Sequence, residues 1–374
     1  MKITVDNVLT SCGWRKDATV EFDGQTISFI RAATEAEKQH SFSGYLIPGY
    51  IDTQVNGGGG VLLNQQPDLA AIKAMSNAHL RFGTTGMLPT VITDNADVMQ
   101  HSADAIAEAI AAGMSNILGI HFEGPFLSKA KKGVHEERLI RVPTDIEIAT
   151  VTRKDIGEVM VTLAPECVEL SLIQELVSEG VLVSLGHTNA NFEQVNEAIA
   201  AGATGFTHLY NAMSPLTSRE PGVVGAALLA KEAYCGLIVD HHHVHKDSAK
   251  IAINLKGWER TMLVTDAMAH VGSDLDTLPF FDTEILRQGS KLTTPSGTLA
   301  GSCLDMHGAV LNTHKDLGIE LADAVAMASH TPAAFLGLGD SMGALAPGKR
   351  ANALLLDESL ALQQVWLSGQ AVNE

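Results

Sequence analysis

A (β/α)8 TIM barrel with a small β-sandwich domain formed from both termini is the fold class that this 374-residue sequence predicts. Three observations predict it. Short β-rich runs alternate with amphipathic helical runs through the middle of the chain, the pattern of βα units wound around a parallel sheet. Both chain ends read as strands, and each end alone is too short to bury a sheet face. Polar and titratable residues collect where the central β-runs end, the rim on which such barrels carry their chemistry.

The N-terminal strands are "KITVDNVLT", "DATVEFDG" and "QTISFIRA", followed by the polar "TEAEKQHSFSG". The C-terminal "KRANALLLDESLALQQVWLSGQAV" is strand-like as well. Residues 1–44 and 343–374 are therefore expected to form one small β-domain, and 45–342 the barrel. Its eight β-runs are "GYIDTQV", "TGMLPTVI", "NILGIHFEG", "VMVTLAPE", "VLVSLGHT", "TGFTHLY", "YCGLIVDHH" and "TMLVTDAM". Helical candidates are "PDLAAIKAMSNAHLRFG", "NADVMQHSADAIAEAIAAG", "VELSLIQELVSEG", "NFEQVNEAIAAG" and "KDSAKIAINLKG", and each ends at a Gly of the kind that closes helices. A doubly wound sheet would need a G-x-G-x-x-G turn after an early strand, and the sequence has none. Gly57 to Gly60 lack a following G-K-[ST], so they read as a mobile or tight turn, not a phosphate cradle.

Composition narrows the function classes. The chain is 45% hydrophobic, ample for a large core, and carries a formal net charge of −18. Such a surface repels nucleic acid and anionic membranes, so neither is expected as a partner. An anionic substrate would need local cations of its own. The four cysteines are scattered with no C-x-x-C, which fits neither a disulfide framework nor a cysteine zinc site. Reduced thiols in a cytoplasmic protein are the expectation. The N-terminus has no signal-type apolar region, and no run approaches the ~18 apolar residues of a membrane span.

Several strand ends converge on one rim. Gln54 and Asn56 close the first run, Glu123 the third, His187 the fifth and His208 the sixth. Asp240 and His243 follow the seventh, and Asp266 ends the eighth. A lone His at a strand end is more often structural than a ligand, but convergence on one barrel mouth reverses that. Glu123, His187 and His208 make a His2Glu set, and three protein ligands plus a water is the pattern of a catalytic zinc site. Asp266 is a candidate general base, with a turn or N-cap carboxylate as the alternative. "DHHHVH", Asp240 to His245, looks like a metal cluster, yet the ligand set is complete without it. We expect one or two of its histidines to touch substrate and the rest to be loop residues. His121 shares a strand face with Glu123 and could be a ligand, but is expected rather to support the ligands from behind. Arg219, in "TSREPG" after the sixth run, is a candidate cation for an anionic substrate, against a surface pair with Glu220.

The motifs "PGYIDTQVNGGGG", "HFEGPF", "KKGVH", "SLGHTNA", "THLYNAM", "REPGVVGA", "LVTDAM", "GTLAGS" and "PGKRANALLLD" resemble the amidohydrolase superfamily, and within it the N-acetylglucosamine-6-phosphate deacetylases. The resemblance spans nearly the whole chain. It implies a barrel with a two-ended β-domain, and hydrolysis of the acetamide of N-acetyl-D-glucosamine 6-phosphate to glucosamine 6-phosphate and acetate in amino-sugar catabolism. It implies a metal on Glu123, His187 and His208, with Asp266 as catalytic acid/base and His135 polarising the acetyl carbonyl. Substrate contacts implied are Val134, His135, Asn211, Ala212, Arg219, His243, and the loop Leu299, Ala300 and Gly301. Homodimers whose partner completes the site are implied as well. Many amidohydrolases carry H-x-H after the first strand, where this chain has Gln54-Val55-Asn56. Amides are poor ligands beside imidazole, so this second-metal slot is degenerate and one divalent ion per subunit is expected. Zn2+ suits the ligands, and Fe2+, Co2+ or Mn2+ could occupy them. "DHHHVH" and "LQQVWLSGQ" also resemble the N-acetylgalactosamine-6-phosphate deacetylases, and that epimer is the alternative substrate. A non-catalytic scaffold would be expected to have lost a ligand or Asp266, and all are present.

Overall fold

The computed structural model describes residues 1–372. Its centre is an eight-stranded parallel sheet, whose strands we label β1 (Tyr50–Val55), β2 (Thr84–Ile92), β3 (Gly119–Glu123), β4 (Glu158–Leu163), β5 (Leu182–Leu185), β6 (Gly205–Phe206), β7 (Tyr234–Leu237) and β8 (Thr261–Leu263). Each pairs in parallel with the next. Just past β8 the sheet closes: Val55 bridges Ala267, Asp266 N donates to Gln54 O at 3.0 Å, and Asn56 N donates to Ala267 O at 2.9 Å. All eight β-runs expected from the sequence are strands of this barrel. β1 and β2 are buried along their whole length, because the interior covers one face and helices the other.

The helices start where their caps dictate. Asp68 accepts from Ala71 N ahead of Leu69–Leu80, and Asn95 from Val98 N ahead of Ala96–Ala111. Asn191 and Gln194 form a capping box on Phe192–Ala200. Each such cap contributes about 1 kcal/mol. The connections after β3 and β8 depart from a simple βα rhythm. The first runs through "KKGVH" before its short helix Asp145–Val151. The second carries a three-stranded antiparallel meander, Thr277–Phe280, Thr283–Gln288 and Lys291–Thr293, before Met306–Lys315. The glycine run is a turn: Gly57–Gly58 pairs with Val61–Leu62, and Gly59 and Gly60 turn the chain at φ 62° and 88°.

Both chain ends join one seven-stranded sheet. Across it run Gln370–Ala371, Leu362–Leu367, Ala353–Leu356, Phe42–Pro48, Lys2–Thr10, Gly13–Asp23 and Thr26–Ala32. Phe22 and Trp366 sit on strands with three others between them, yet their rings meet edge-on at 6.3 Å. The sheet therefore folds over on itself into a sandwich, with Val5, Val20, Leu46 and Leu355 inside. Tyr45–Pro48, the end of the strand Phe42–Pro48, pairs with Ala353–Leu356, so the small sheet includes the chain as far as Pro48, past the residue 44 boundary expected from the sequence.

Candidate active site and metal centre

The barrel interior below the mouth is polar. His121 contacts Thr162 Oγ1 at 2.7 Å, Thr162 contacts Thr207 at 2.6 Å, and Thr207 contacts Ser184 at 2.7 Å. Burial pushes His121 down to about 4, so it is a neutral imidazole in this layer. It reaches hydroxyls, not the candidate ligands.

Above this layer, three strand ends bring Glu123, His187 and His208 together. His208 Nε2 lies 3.0 Å from both Glu123 Oε1 and His187 Nε2, and His187 Nε2 lies 3.3 Å from Glu123 Oε1. His187 Nδ1 donates to Lys131 O at 2.8 Å, which leaves Nε2 as a bare lone pair facing the others. Facing lone pairs repel unless a cation or proton sits among them. Burial opposes charge on His208, but Glu123 outweighs it and raises its pKa. Burial likewise pushes Glu123 up, and the two histidines pull it well below its ordinary value. Ligands at about 2.0–2.1 Å from a tetrahedral zinc stand roughly 3.3–3.4 Å apart. The donor set therefore fits a divalent ion. His135 crowds it too: with Glu123 and His187 it offers ligand atoms within 4.8 Å of one another, and its ring centroid is 4.3 Å from that of His187. Its Nδ1 is engaged by Thr93 Oγ1 at 2.8 Å.

Asp266 faces this group. One carboxylate oxygen, Oδ1, accepts from Asn56 Nδ2 at 2.6 Å and from Gln54 Nε2 at 3.3 Å. Gln54 Nε2 also lies 3.1 Å from Glu123 Oε1. The amides in the second-metal slot thus bind the carboxylates directly. Burial first, and the Glu123 charge second, push Asp266 up to about 6; His208, His243 and Asn56 oppose them. His187, His208 and Asp266 all hold left-handed backbone, at φ 46°, 34° and 52°. Non-glycine residues adopt it only under strong local constraint, and such sites cluster at functional centres.

A cavity of about 390 Å3 opens above these groups. Val134, His135, Asn211, Ala212, Leu299 and Gly301 line it, as does His243. Ala300 is fully buried behind its neighbours. Of "DHHHVH", only His243 reaches the cavity, held by Asp240 at 2.7 Å. His241 pairs with Asp316, His242 with Ser290, and His245 caps the helix Lys246–Lys256. Arg219 is exposed and outside the cavity wall, and Glu220 accepts from Phe192 N and Gly222 N instead of pairing with it. The sequence reading missed Lys131, Phe280 and Thr298 on the cavity wall. The alternating "TLPFFDTEILRQ" with its following Gly turn is the signal that could have found the meander carrying Phe280.

A closed parallel barrel with convergent donor atoms at an open mouth defines a metal-dependent α/β-barrel enzyme. More particularly, the chain belongs to the Amidohydrolase family, whose model matches residues 45–372. Family and donor set together support a divalent metal at the mouth. The chain is 50% identical over 349 residues to an N-acetylgalactosamine-6-phosphate deacetylase of Shewanella sp. (strain ANA-3), covering 93% of this chain and 88% of that one. It is 35% identical to an N-acetylglucosamine-6-phosphate deacetylase of Haemophilus influenzae, covering 90% of each. The crystal structure of N-acetylglucosamine-6-phosphate deacetylase from Pasteurella multocida superposes with a TM-score of 0.94 at 32% identity, covering 100% of both chains. No helix among the described residues is long and apolar enough to cross a membrane.

Proposed function

We propose that this chain hydrolyses the acetamide of N-acetylglucosamine 6-phosphate to glucosamine 6-phosphate and acetate, using one divalent ion, zinc by preference, held by Glu123, His187 and His208. The observation that carries this reading is the triangle of three lone pairs at 3.0–3.3 Å beside a raised carboxylate. His208 is preferred to His135 as third ligand because its Nε2 touches both other donors, whereas His135 spends Nδ1 on Thr93.

When bound, the ion supplies Lewis-acid activation of water and of the acyl oxygen. Asp266 has Oδ1 tied to the Gln54 and Asn56 amides, so Oδ2 is the oxygen free to take a proton from the attacking water. It then returns that proton to the leaving amine, base first and acid second. Burial, reinforced by nearby His187, keeps His135 neutral. His135 Nδ1 lies 2.8 Å from Thr93 Oγ1, and in the tautomer that carries its proton on Nε2 the ring is placed to donate to the developing oxyanion. Val134, Asn211, Ala212, His243 and the Leu299–Gly301 loop hold the sugar.

Of the lysines and arginines, the cavity wall of one subunit carries Lys131 and does not include Arg219. We place Arg219 of a neighbouring subunit at the substrate phosphate in a homodimer. Exposed Leu216 (57%), Leu229 (66%) and Leu255 (63%), on the same loop and the two helices beyond it, support an interface on this face. The four free cysteines support a cytoplasmic setting.

A second reading is the galactosamine epimer, favoured by the 50% identical Shewanella relative. The sugars differ at C4, where one hydroxyl contact can decide. The test is acetate release by the metal-replete protein from both hexosamine phosphates. A higher kcat/KM for the gluco substrate supports the first reading and the reverse order the second. Release from neither would end both.

A further inference from the structure

We infer that Asp52, acting through the Thr265 hydroxyl, is a positioning residue that sets the backbone on which Asp266 is presented; this rests on the reading of Asp266 as the acid/base. Asp52 lies on β1 and is fully buried. Its Oδ1 accepts from Gln54 N at 3.1 Å and Thr265 N at 3.3 Å, and its Oδ2 accepts from Thr265 Oγ1 at 2.5 Å. Burial pushes the Asp52 carboxyl up to about 7, against the three hydrogen bonds it accepts, which lower it. Here those bonds fasten the segment that carries Asp266.

Asp266 sits at φ 52°, a conformation that an L-residue keeps only where its surroundings over-determine it. Every backbone polar group of Thr265, Asp266 and Ala267 has a partner. Thr265 N donates to Asp52, and Thr265 O accepts from Ser302 Oγ at 2.5 Å. Asp266 N donates to Gln54 O at 3.0 Å, and Asp266 O accepts from Ser302 N at 2.9 Å. Ala267 N donates to Thr265 Oγ1 at 3.2 Å, and Ala267 O accepts from Asn56 N and Gly57 N. The Thr265 hydroxyl is the relay. By donating its one proton to Asp52 it turns a lone pair toward Ala267 N, so one buried carboxylate fixes the peptides on both sides of Asp266. Ser302 grips the same segment from the opposite side.

Asp52 also helps close the barrel between β1 and β8, and that role is separable. The closing bonds Asp266 N to Gln54 O and Asn56 N to Ala267 O do not involve the Thr265 side chain. Thr265→Val keeps the shape but removes the relay, leaving Asp52 Oδ2 and Ala267 N without their partner; Thr265→Ser restores it. Misplacing a reacting group by about 1 Å can cost on the order of 10²-fold. Thr265→Val should therefore lower kcat by about that factor per folded, metal-loaded subunit, with KM little changed, and Thr265→Ser should recover most of the loss. In its crystal structure Thr265→Val should show Asp266 relaxed to negative φ. A Thr265→Val enzyme with normal kcat and only a lower Tm, or a Thr265→Ser enzyme as impaired as Thr265→Val, would overturn the inference. If Thr265→Val does not fold, Ser302→Ala must lower kcat more than it changes KM, and a fully active Ser302→Ala would overturn it. A wild-type protein that releases no acetate would instead strike the functional reading, while the φ of Asp266 in the Thr265→Val crystal still decides the positional one.

Discussion

Replacing Asn56 by leucine should move the acid limb of the pH–activity profile upward. Asn56 Nδ2 donates to Asp266 Oδ1 at 2.6 Å, and both groups are buried, so solvent does not screen the bond. A hydrogen bond to a charged group contributes roughly 1.5–3 kcal/mol. At about 1.36 kcal/mol per pKa unit, its loss corresponds to roughly one to two units. Gln54 Nε2, 3.3 Å from the same oxygen, remains to share the charge, which favours the lower figure. The sign follows from what the donor does. It stabilises the carboxylate and so holds down a pKa that burial and Glu123 have pushed up to about 6. Without it the carboxylate protonates at higher pH, and a base that works deprotonated loses activity there first.

A bound cation nearby lowers this pKa in wild type and variant alike, so the separation between the two profiles is the quantity to read. The assay is kcat/KM for the hexosamine phosphate from about pH 5 to about pH 9, with metal content matched. The Asn56→Leu limb should lie about one pH unit above that of wild type. Superimposed limbs would refute the reasoning. A uniform drop at every pH would show that Asn56 acts by packing rather than by its donated proton.

Three further outcomes are expected. Elemental analysis after dialysis should find about one divalent ion per subunit, since the three donor atoms form one site; two ions retained against mild chelation would contradict that. Asp266→Asn should fold and bind metal but lose ~10²–10⁴-fold in kcat, because an amide cannot accept the proton; near-normal turnover would move the base elsewhere. Arg219→Ala should weaken kcat/KM strongly for the 6-phosphorylated sugar and barely alter the poor reaction of the unphosphorylated one. Equal losses for both sugars would remove Arg219 from the phosphate.

The barrel was legible because each βα unit carries its own periodicity and caps. The run "TGMLPTVI" is apolar enough for a strand buried on both faces, and Asn95 announces the helix behind it. The candidate ligands were legible because a barrel gathers its strand ends at one mouth, so residues far apart in the chain could be placed together from topology alone. The meander between β8 and Met306–Lys315 carries its own alternation, but its place on the cavity wall was not legible, because it is an insertion outside the βα rhythm. "DHHHVH" was over-legible: its histidines are adjacent in sequence but splay toward Asp316, Ser290, Asp240 and a helix start. Nothing local in the sequence marks the left-handed backbone of His187, His208 and Asp266.

Gln54 and Asn56 show how an apparent deficiency in sequence becomes a working part in three dimensions. Read alone, they are amides where imidazoles would support a second ion. In the fold, each presents an N–H donor to a carboxylate, Gln54 to both Glu123 and Asp266 and Asn56 to Asp266 alone. Imidazoles holding a second cation here would put a positive charge against Asp266, favour its charged form and drive its pKa down. Neutral donors restrain that pKa far less, so burial and the Glu123 charge keep it raised. In the function we propose, a one-metal site with a proton-carrying aspartate and a two-metal site are alternative solutions on one barrel, distinguished by the two side chains at and just past the end of β1.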